Sequence, residues 1–173
     1  LQGGGALCAE RPFYPDDLCA ALERLPRPRV LVTTPFHLRA LLEDVAQPPP
    51  ADLLLCATAP LSAELAQLAE ARFGAELLEI YGCTETGQIA TRRTAREPQW
   101  RTLPGVRVEL REGRAWASGG HVEQRTALGD VLEPLAADRF LLRGRIADTV
   151  NAAGKRTSLA FLDAQLLAVE GEA

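Results

Sequence analysis

One short polar segment, Tyr81-Gly82-Cys83-Thr84-Glu85-Thr86-Gly87, carries the side chains of this sequence that are best suited to chemistry. It follows an apolar run, so we predict a strand end that passes into a glycine-flanked turn. A threonine hydroxyl and backbone N–H groups can hold phosphate oxygens, a glutamate can hold Mg²⁺, and a tyrosine ring can stack on a base. The segment therefore suits a nucleotide, and an ordinary polar turn is the plainer alternative.

The first half of the chain is predicted to be a β-α-β-α-β unit that positions this segment. Apolar, partly β-branched runs predict buried strands over residues 30–33, 53–57 and 76–80. Between and before them, amphipathic stretches predict helices that begin near Pro15, Pro35 and Ser62, and the last of these places Leu65, Leu68, Ala69 and Phe73 inward. Near-continuous apolar strands joined by helices are typical of a parallel sheet.

Parallel sheets bind ligands just beyond the carboxyl ends of their strands. Three segments follow the predicted strands and are expected to face one crevice: residues 33–37, 57–60 and 81–87.

Beyond residue 99 the hydrophobic pattern changes to a strict alternation. Val106, Val108 and Leu110 alternate with charged residues, and Glu112-Gly113 is a turn signal. Residues 131–135 and 139–143 flank a second turn. We predict a small antiparallel, barrel-like unit, followed by a last helix that Ser158 caps.

Composition and charge exclude several classes of protein. The 173 residues carry a formal net charge of -4 and lack the basic stripe that nucleic acid or an anionic membrane would favour. No apolar run approaches the roughly 20 residues of a membrane span. The four cysteines show no metal-ligand spacing, so reduced thiols and a cytoplasmic location are predicted. The sequence has no methionine and one lysine, Lys155, and we expect it to be a piece of a longer protein.

Five segments resemble, in the same order, the motifs of one family: Thr34-Pro35-Phe36-His37-Leu38; Ala59-Pro60-Leu61-Ser62; Tyr81-Gly82-Cys83-Thr84-Glu85; Leu128-Gly129-Asp130; and Gly144-Arg145-Ile146-Ala147-Asp148 with Gly154-Lys155-Arg156. The third is similar to a Tyr-Gly-x-Thr-Glu signature, and the last to a Gly-Arg-x-x-Asp hinge. The family is the adenylate-forming superfamily of acyl- and aryl-CoA synthetases, nonribosomal peptide adenylation domains and luciferases.

The resemblance implies a role for each matched residue. Thr84 would contact the α-phosphate of ATP, Glu85 would bind Mg²⁺, and Asp130 would accept hydrogen bonds from the ribose hydroxyls. Arg145 would contact the ribose or phosphates, and Tyr81 would stack on adenine. The other implied contacts are to the nucleotide from Thr58, Ala59, Pro60 and Gly82, and to the acid substrate from His37, Gly82 and Cys83.

The resemblance also implies the organisation of the chain. Residues 1–98 would be a parallel α/β subdomain, residues 99–147 an antiparallel β subdomain, and residues 148–173 the hinge, at Asp148, and the start of a small C-terminal domain.

Plainer alternatives stand beside these roles. Asp130 and Arg145 would equally suit a surface ion pair, worth about 0–1 kcal/mol. His37 would serve as a cap or a wall residue, Cys83 is expected to be a pocket wall rather than a nucleophile, and His121 a surface residue.

The implied reaction is ATP-dependent activation of a carboxylic acid, with an aromatic or compact acid favoured by the segment around His37. An acyl-adenylate would form, and the acyl group would pass to the thiol of coenzyme A or of the phosphopantetheine arm of a carrier protein. The family's phosphate loop and its C-terminal lysine are absent from these 173 residues, so we expect this chain alone to be inactive.

Two alternatives to a ligase remain open. One is a non-catalytic binding or scaffold domain, suggested because Ala57-Thr58 stand where the family has Gly-Gly and Asn151 stands where many relatives have lysine. The other is an unrelated mononucleotide-binding α/β domain.

Overall fold

The computed structural model describes residues 4–10, 12–146, 149–152 and 155–158, and internal contacts divide the chain into two compact units. The first unit comprises Leu1–Glu79 and Arg93–Glu97, and the second comprises Ile80–Arg92 and Pro98–Ala173. The subdomain boundaries expected at residues 98 and 147 stay predictions.

The first unit has the predicted β-α-β-α-β order, preceded by a helix. In chain order its elements are α1 (Pro15–Arg24), β1 (Val30–Thr33), α2 (Pro35–Asp44), β2 (Leu53–Cys56), α3 (Ala63–Phe73) and β3 (Glu76–Cys83), whose last four residues belong to the second unit. Strand β2 pairs in parallel with both β1 and β3. The prediction of a parallel α/β unit is confirmed.

Local sequence signals set the ends of the helices. The Thr34 hydroxyl accepts a hydrogen bond from the backbone N–H of His37 at the start of α2, and Ser62 does the same for Leu65 at the start of α3. Helix α3 ends at Gly74, whose φ of 66° is the left-handed conformation that glycine adopts without a steric penalty.

The core of the first unit is almost entirely aliphatic. Leu54, Cys56 and Leu77 point from the strands into a cluster of side chains that α2 and α3 complete. Because the helices cover this face, the opposite face of β1 stays open: Val32 is 66% exposed, and Val30 is also exposed. The prediction that residues 30–33 form a buried strand is therefore wrong for half of its side chains.

A second correction concerns helix α3. Leu68 was expected to point inward, yet it is exposed, while Ala66 is buried with Leu65, Ala69 and Phe73. The buried stripe is centred nearer to Ala66 than the spacing of the leucines suggests, and this places Leu68 on its flank.

The second unit is antiparallel, as predicted. Its strands are β4 (Gly87–Arg92), β5 (Trp100–Thr102), β6 (Val106–Arg111), β7 (Arg114–Gly119), β8 (Val122–Ala127), β9 (Asp130–Ala136), β10 (Arg139–Arg145), β11 (Thr149–Ala152) and β12 (Lys155–Ser158). Neighbours pair in the orders β4-β5-β10-β9, β6-β7-β8 and β11-β12. Among the described residues these strands form open sheets, and no closed barrel is found.

The hinge residue Asp148 and the helix predicted after Ser158 lie outside the described residues. No helix in the described ranges combines the length and the apolar character that crossing a membrane requires.

Candidate functional site

The segment 81–87 forms the hairpin between β3 and β4, with Thr84, Glu85 and Thr86 at the turn. The two strands approach each other closely where the hairpin closes. A Cβ atom added to Gly82 would lie 2.0 Å from the carbonyl oxygen of Gly87, a distance that side chains do not tolerate. Backbone packing alone therefore requires glycine at position 82, and this requirement does not depend on a contact between Gly82 and a ligand.

Thr86 holds the turn together, a role that no local pattern in the sequence indicates. Its backbone N–H donates to the Cys83 carbonyl over 3.3 Å, its hydroxyl accepts from the Cys83 N–H, and the hydroxyl lies 3.2 Å from Cys83 Sγ. Thr86 is buried, whereas Cys83, Thr84 and Glu85 are exposed. The turn thus presents a hydroxyl and a carboxylate to solvent.

The Glu85 carboxylate stays ionised at neutral pH. A hydrogen bond from the Cys83 side chain, and then one from its own backbone N–H, hold the pKa of Glu85 below its ordinary value. A charged, exposed carboxylate at the tip of a hairpin is suited to bind a hard cation such as Mg²⁺.

Tyr81 and Asp130, which belong to separate sequence motifs, are joined by a hydrogen bond. The Tyr81 hydroxyl donates to Asp130 Oδ2 over 2.7 Å, and the Tyr81 ring packs against Trp100 and Phe140. Burial, followed by this hydrogen bond, raises the pKa of Tyr81, so the hydroxyl remains a neutral donor. Tyr81 is 9% exposed, and its hydroxyl holds one oxygen of the Asp130 carboxylate in place.

Arg145 faces Asp130 across the pair of strands β9 and β10. Its Nε atom lies 3.8 Å from Asp130 Oδ1, and the Asp130 side chain is 21% exposed. The ion pair that was kept as the plainer alternative is therefore present, although it is long and largely solvated. Such pairs contribute about 0–1 kcal/mol, so this pair adds little to stability.

In the first unit, the ends of β1 and β2 bring two predicted segments to the same edge. The backbone N–H of Ala57 donates to the Thr33 carbonyl over 3.2 Å. His37 is exposed in the first turn of α2, and its Nδ1 lies 2.9 Å from the Thr34 hydroxyl. The contacts of His37 are thus those of a residue at a helix start, with its ring accessible to solvent.

The loop from Thr58 to Leu61 is strained at one end and anchored at the other. Thr58 has a φ of 84°, a left-handed conformation that is costly for a β-branched residue. The Glu79 carboxylate accepts hydrogen bonds from the Leu61 N–H over 3.3 Å and from the Thr94 hydroxyl over 2.5 Å. Glu79 is 4% exposed, and its signal in the sequence is a carboxylate between Leu78 and Ile80 in an apolar run.

The described residues contain no group of three or more His, Cys, Asp and Glu side chains that could hold a metal ion. Mg²⁺ that binds together with substrate phosphates takes only one or two carboxylates from the protein. Glu85 is a carboxylate of this kind, so the donors present fit a Mg²⁺ ion that arrives with a nucleotide.

Comparison with known proteins decides the family. The model of a family described as AMP-binding enzyme matches residues 1–114, which is most of the chain. The chain belongs to the AMP-binding enzyme family. No curated protein matches it.

Solved structures of adenylate-forming proteins share the fold of this AMP-binding chain. An acyl-CoA synthetase (AMP-forming)/AMP-acid ligase II-like protein from Dyadobacter fermentans is 23% identical, with a TM-score of 0.61 over 88% of this chain and 46% of its own. ATP-bound MatB from Rhodopseudomonas palustris is 21% identical, with a TM-score of 0.71 over 88% of this chain and 37% of its own. MenE from E. coli is 18% identical, with a TM-score of 0.67 over 82% of this chain and 35% of its own. The chain therefore spans less than half the length of these proteins.

The second unit of the AMP-binding chain brings Tyr81, Asp130 and Arg145 together, and its β3–β4 turn exposes Thr84 and Glu85. The first unit exposes His37, Thr58, Ala59 and Pro60 at the ends of its strands. Asp148 is the one predicted site residue that lies outside the described ranges.

Proposed function

We propose that this chain supplies part of the site of an ATP-dependent ligase that converts a carboxylic acid to an acyl-adenylate. The observation that carries the proposal is the Asp130 carboxylate, oriented by Tyr81, faced by Arg145 and still partly open to solvent. A carboxylate with lone pairs available can accept hydrogen bonds from both hydroxyls of a ribose. Membership of the AMP-binding family and the ATP-bound MatB structure support a nucleotide as the ligand.

The groups of the second unit divide the work on the nucleotide. Asp130 holds the ribose, the cationic Arg145 contacts the ribose or the phosphates, and the Thr84 hydroxyl donates to an oxygen of the α-phosphate. Glu85 holds the Mg²⁺ ion, which neutralises phosphate charge when it is bound. The contact of Tyr81 with adenine stays a prediction, and only 9% of the residue is exposed for it. The hydrogen bond from Tyr81 to Asp130 supports a second role in orienting that carboxylate.

The proposed reaction has two steps. A carboxylate oxygen of the acid attacks the α-phosphorus of ATP, the bond from the α-phosphorus to the bridging oxygen breaks, and pyrophosphate leaves. A thiolate of coenzyme A, or of the phosphopantetheine arm of a carrier protein, then attacks the acyl carbon and AMP leaves. Because two anions meet in the first step, alignment and charge stabilisation by Arg145 and Thr84 are the main contributions of these residues.

For the acid we propose an aromatic or otherwise compact carboxylate. Gly82 and Cys83, in the second unit, are its proposed contacts, and the role of His37, in the first unit, stays a prediction. All three are exposed, and each follows the carboxyl end of a strand or lies at it. The MenE structure carries a phenylether-linked ligand, which supports an aromatic acid by analogy.

The function is tested by ATP–pyrophosphate exchange on the whole protein, with aromatic and aliphatic acids in turn. We expect exchange with at least one acid. The exchange rate should fall about tenfold or more in Asp130→Ala, because a hydrogen bond to a charged group contributes about 1.5–3 kcal/mol. Glu133→Ala is the matched control, because Glu133 forms a similar ion pair, with Arg143, on the same two strands. Equal losses in both variants, or no exchange with any acid, would refute the proposal.

The alternative of a non-catalytic nucleotide-fold domain is favoured by one observation. Thr58 adopts a glycine-like φ and adds a side chain in the segment that the family resemblance assigns to adenine. Calorimetry with MgATP separates the two functions, because a scaffold domain would show no Mg²⁺-dependent binding in the whole protein. The ligase proposal also predicts no measurable turnover by these 173 residues alone.

A further inference from the structure

The outer face of the three-stranded sheet β6-β7-β8 carries a cluster of arginines around a half-buried tryptophan. The guanidinium carbon of Arg125 lies 4.4 Å from the centroid of the Trp116 ring, and that of Arg114 lies 5.9 Å from it. We refer to Arg114, Trp116 and Arg125 as the Arg–Trp cluster. It forms one side of a surface cavity of about 360 Å³, which Arg111 and Glu112 also line.

The charges of this cluster are not balanced within the described part of the chain. Arg111 donates two hydrogen bonds to Glu109, so its charge is compensated. Arg114 and Arg125 have no carboxylate within ion-pair distance among the residues that the structure describes. Two guanidinium groups, each with five N–H donors, are therefore available beside an aromatic ring.

The hairpin between β6 and β7 fixes this arrangement. Glu112 and Gly113 both have positive φ angles, 51° and 75°, in the tight turn that sets the strand register. That register places Arg111 directly opposite Arg114, and Glu109 compensates the charge of Arg111. The charges left for an anion to balance are therefore those of Arg114 and Arg125.

A second arginine–tryptophan contact in the same unit shows what a purely structural pair looks like. The guanidinium carbon of Arg92 lies 4.5 Å from the centroid of the Trp100 ring. Trp100, however, is 2% exposed, and Arg92 donates to the Pro98 carbonyl. The Arg–Trp cluster differs because its indole and both guanidiniums are accessible to solvent.

We propose that the Arg–Trp cluster binds a phosphate-bearing ligand of the nucleotide class, at a site that shares no residue with the proposed adenylation site. A phosphate monoester carries a charge of about -1.5 to -2, which matches two guanidiniums, and arginine holds phosphate oxygens in a bidentate fork. The Arg125 guanidinium lies over the Trp116 ring, so a base would stack on this guanidinium plane, which nucleobases also accept. The cavity lies within the range of about 300–1,000 Å³ that is usual for small-molecule sites. Glu112 opposes the anion and limits its affinity.

The test is a titration of the full chain with ADP, followed by Trp116 fluorescence and by calorimetry. Adenosine and tripolyphosphate, titrated separately, distinguish the contribution of the ring from that of the phosphates. We expect saturable binding of ADP. The affinity for ADP should fall about tenfold or more in Arg114→Gln and in Arg125→Gln, and it should rise in Glu112→Gln. The fluorescence change should disappear in Trp116→Phe and persist in Asp130→Ala, which removes a residue of the proposed adenylation site only.

Arg107→Gln is the matched control, because Arg107 is an exposed arginine of β6 that does not line the cavity, and the variant removes the same charge. An equal loss in this variant would show only a general effect of net charge and would overturn the proposal. So would the absence of a saturable Trp116 signal, or tighter binding of polyglutamate than of ADP. Arg114→Lys keeps the positive charge but loses the bidentate guanidinium, so it should bind ADP with intermediate affinity. This variant tests the proposal if Arg114→Gln does not fold.

Discussion

Glu79 in the first unit and Asp130 in the second both accept a hydrogen bond from a hydroxyl, but their surroundings differ. Glu79 is 4% exposed and bonds to both Thr94 and the Leu61 backbone, so it connects two loops to β3. Asp130 bonds to Tyr81 and keeps its second oxygen near solvent and Arg145. The buried carboxylate of Glu79 stabilises the fold of its unit, whereas the partly exposed carboxylate of Asp130 can still accept hydrogen bonds from a ligand.

The cores of the two units also differ, because one is mainly aliphatic and the other is mainly aromatic around Tyr81. The first unit packs leucine and alanine side chains with a single phenylalanine, and its buried polar groups are satisfied internally. The second unit packs Tyr81 with Trp100 and Phe140, and a polar hydroxyl extends from this aromatic cluster to Asp130. Aromatic side chains that end in a polar atom are able to connect a core to a binding surface.

The largest expected effect separates the two faces of the first unit. Leu54→Ala should lower the free energy of unfolding by about 2–5 kcal/mol, because a fully buried leucine leaves a cavity. Val32→Ala, on the open face of the same strands, should cost less than about 1 kcal/mol. Urea denaturation of both variants measures the difference, and similar costs would mean that the face of β1 that carries Val32 is covered in solution.

The next effect compares the two carboxylates directly. Glu79→Ala should cost about 2 kcal/mol of stability, because the buried Leu61 N–H and Thr94 hydroxyl lose their acceptor. Asp130→Ala should cost about 1 kcal/mol, because one partly solvated bond is lost. The affinity of the whole protein for nucleotide should fall strongly in Asp130→Ala. Thermal unfolding and calorimetry together check this, and a larger loss of stability in Asp130→Ala would reverse the comparison.

Relief of strain at Thr58 is a smaller effect of opposite sign. Thr58→Gly should raise the free energy of unfolding by about 1 kcal/mol, because a β-branched residue at positive φ stores about 1–3 kcal/mol and glycine recovers part of it. Ala59→Gly is the control, since Ala59 has no positive φ and should be destabilised. Destabilisation of both variants would show that the Thr58 side chain makes stabilising contacts.

The smallest effect is a pH dependence in the first unit. Burial tends to raise the pKa of Glu70, but hydrogen bonds from Arg93 and from the Leu77 backbone outweigh it and hold the pKa below its ordinary value. A lowered pKa in the folded state means that this stabilisation is complete above the unfolded pKa, about 4.3, and is lost as the pH falls through the folded value. Glu70→Gln should therefore lose less stability than the wild type between pH 6 and pH 3, as measured by urea denaturation. An identical decline in both proteins would contradict the assignment.

Much of the fold follows from local patterns in the sequence. Strand β1 has the predicted bounds, the starts of α2 and α3 coincide with the Thr34 and Ser62 caps, and the Glu112-Gly113 turn joins β6 to β7 as expected. Strands β4, β5 and β8 were not predicted, because short antiparallel strands with few apolar residues have no distinct period. The exposure of Val32 was also unpredictable, since an apolar run does not show which of its faces a helix will cover.

The sequence by itself also determined the chemical types at the candidate site, because a Tyr-Gly-x-Thr-Glu turn and a Gly-Asp pair are local motifs. Only the tertiary structure decided their connections. The Tyr81–Asp130 bond joins residues 49 positions apart, Glu79 reaches both Leu61 and Thr94, and the Arg–Trp cluster depends on the pairing of β7 with β8. Periodicity and capping act over a few residues, whereas these contacts depend on how distant strands pair.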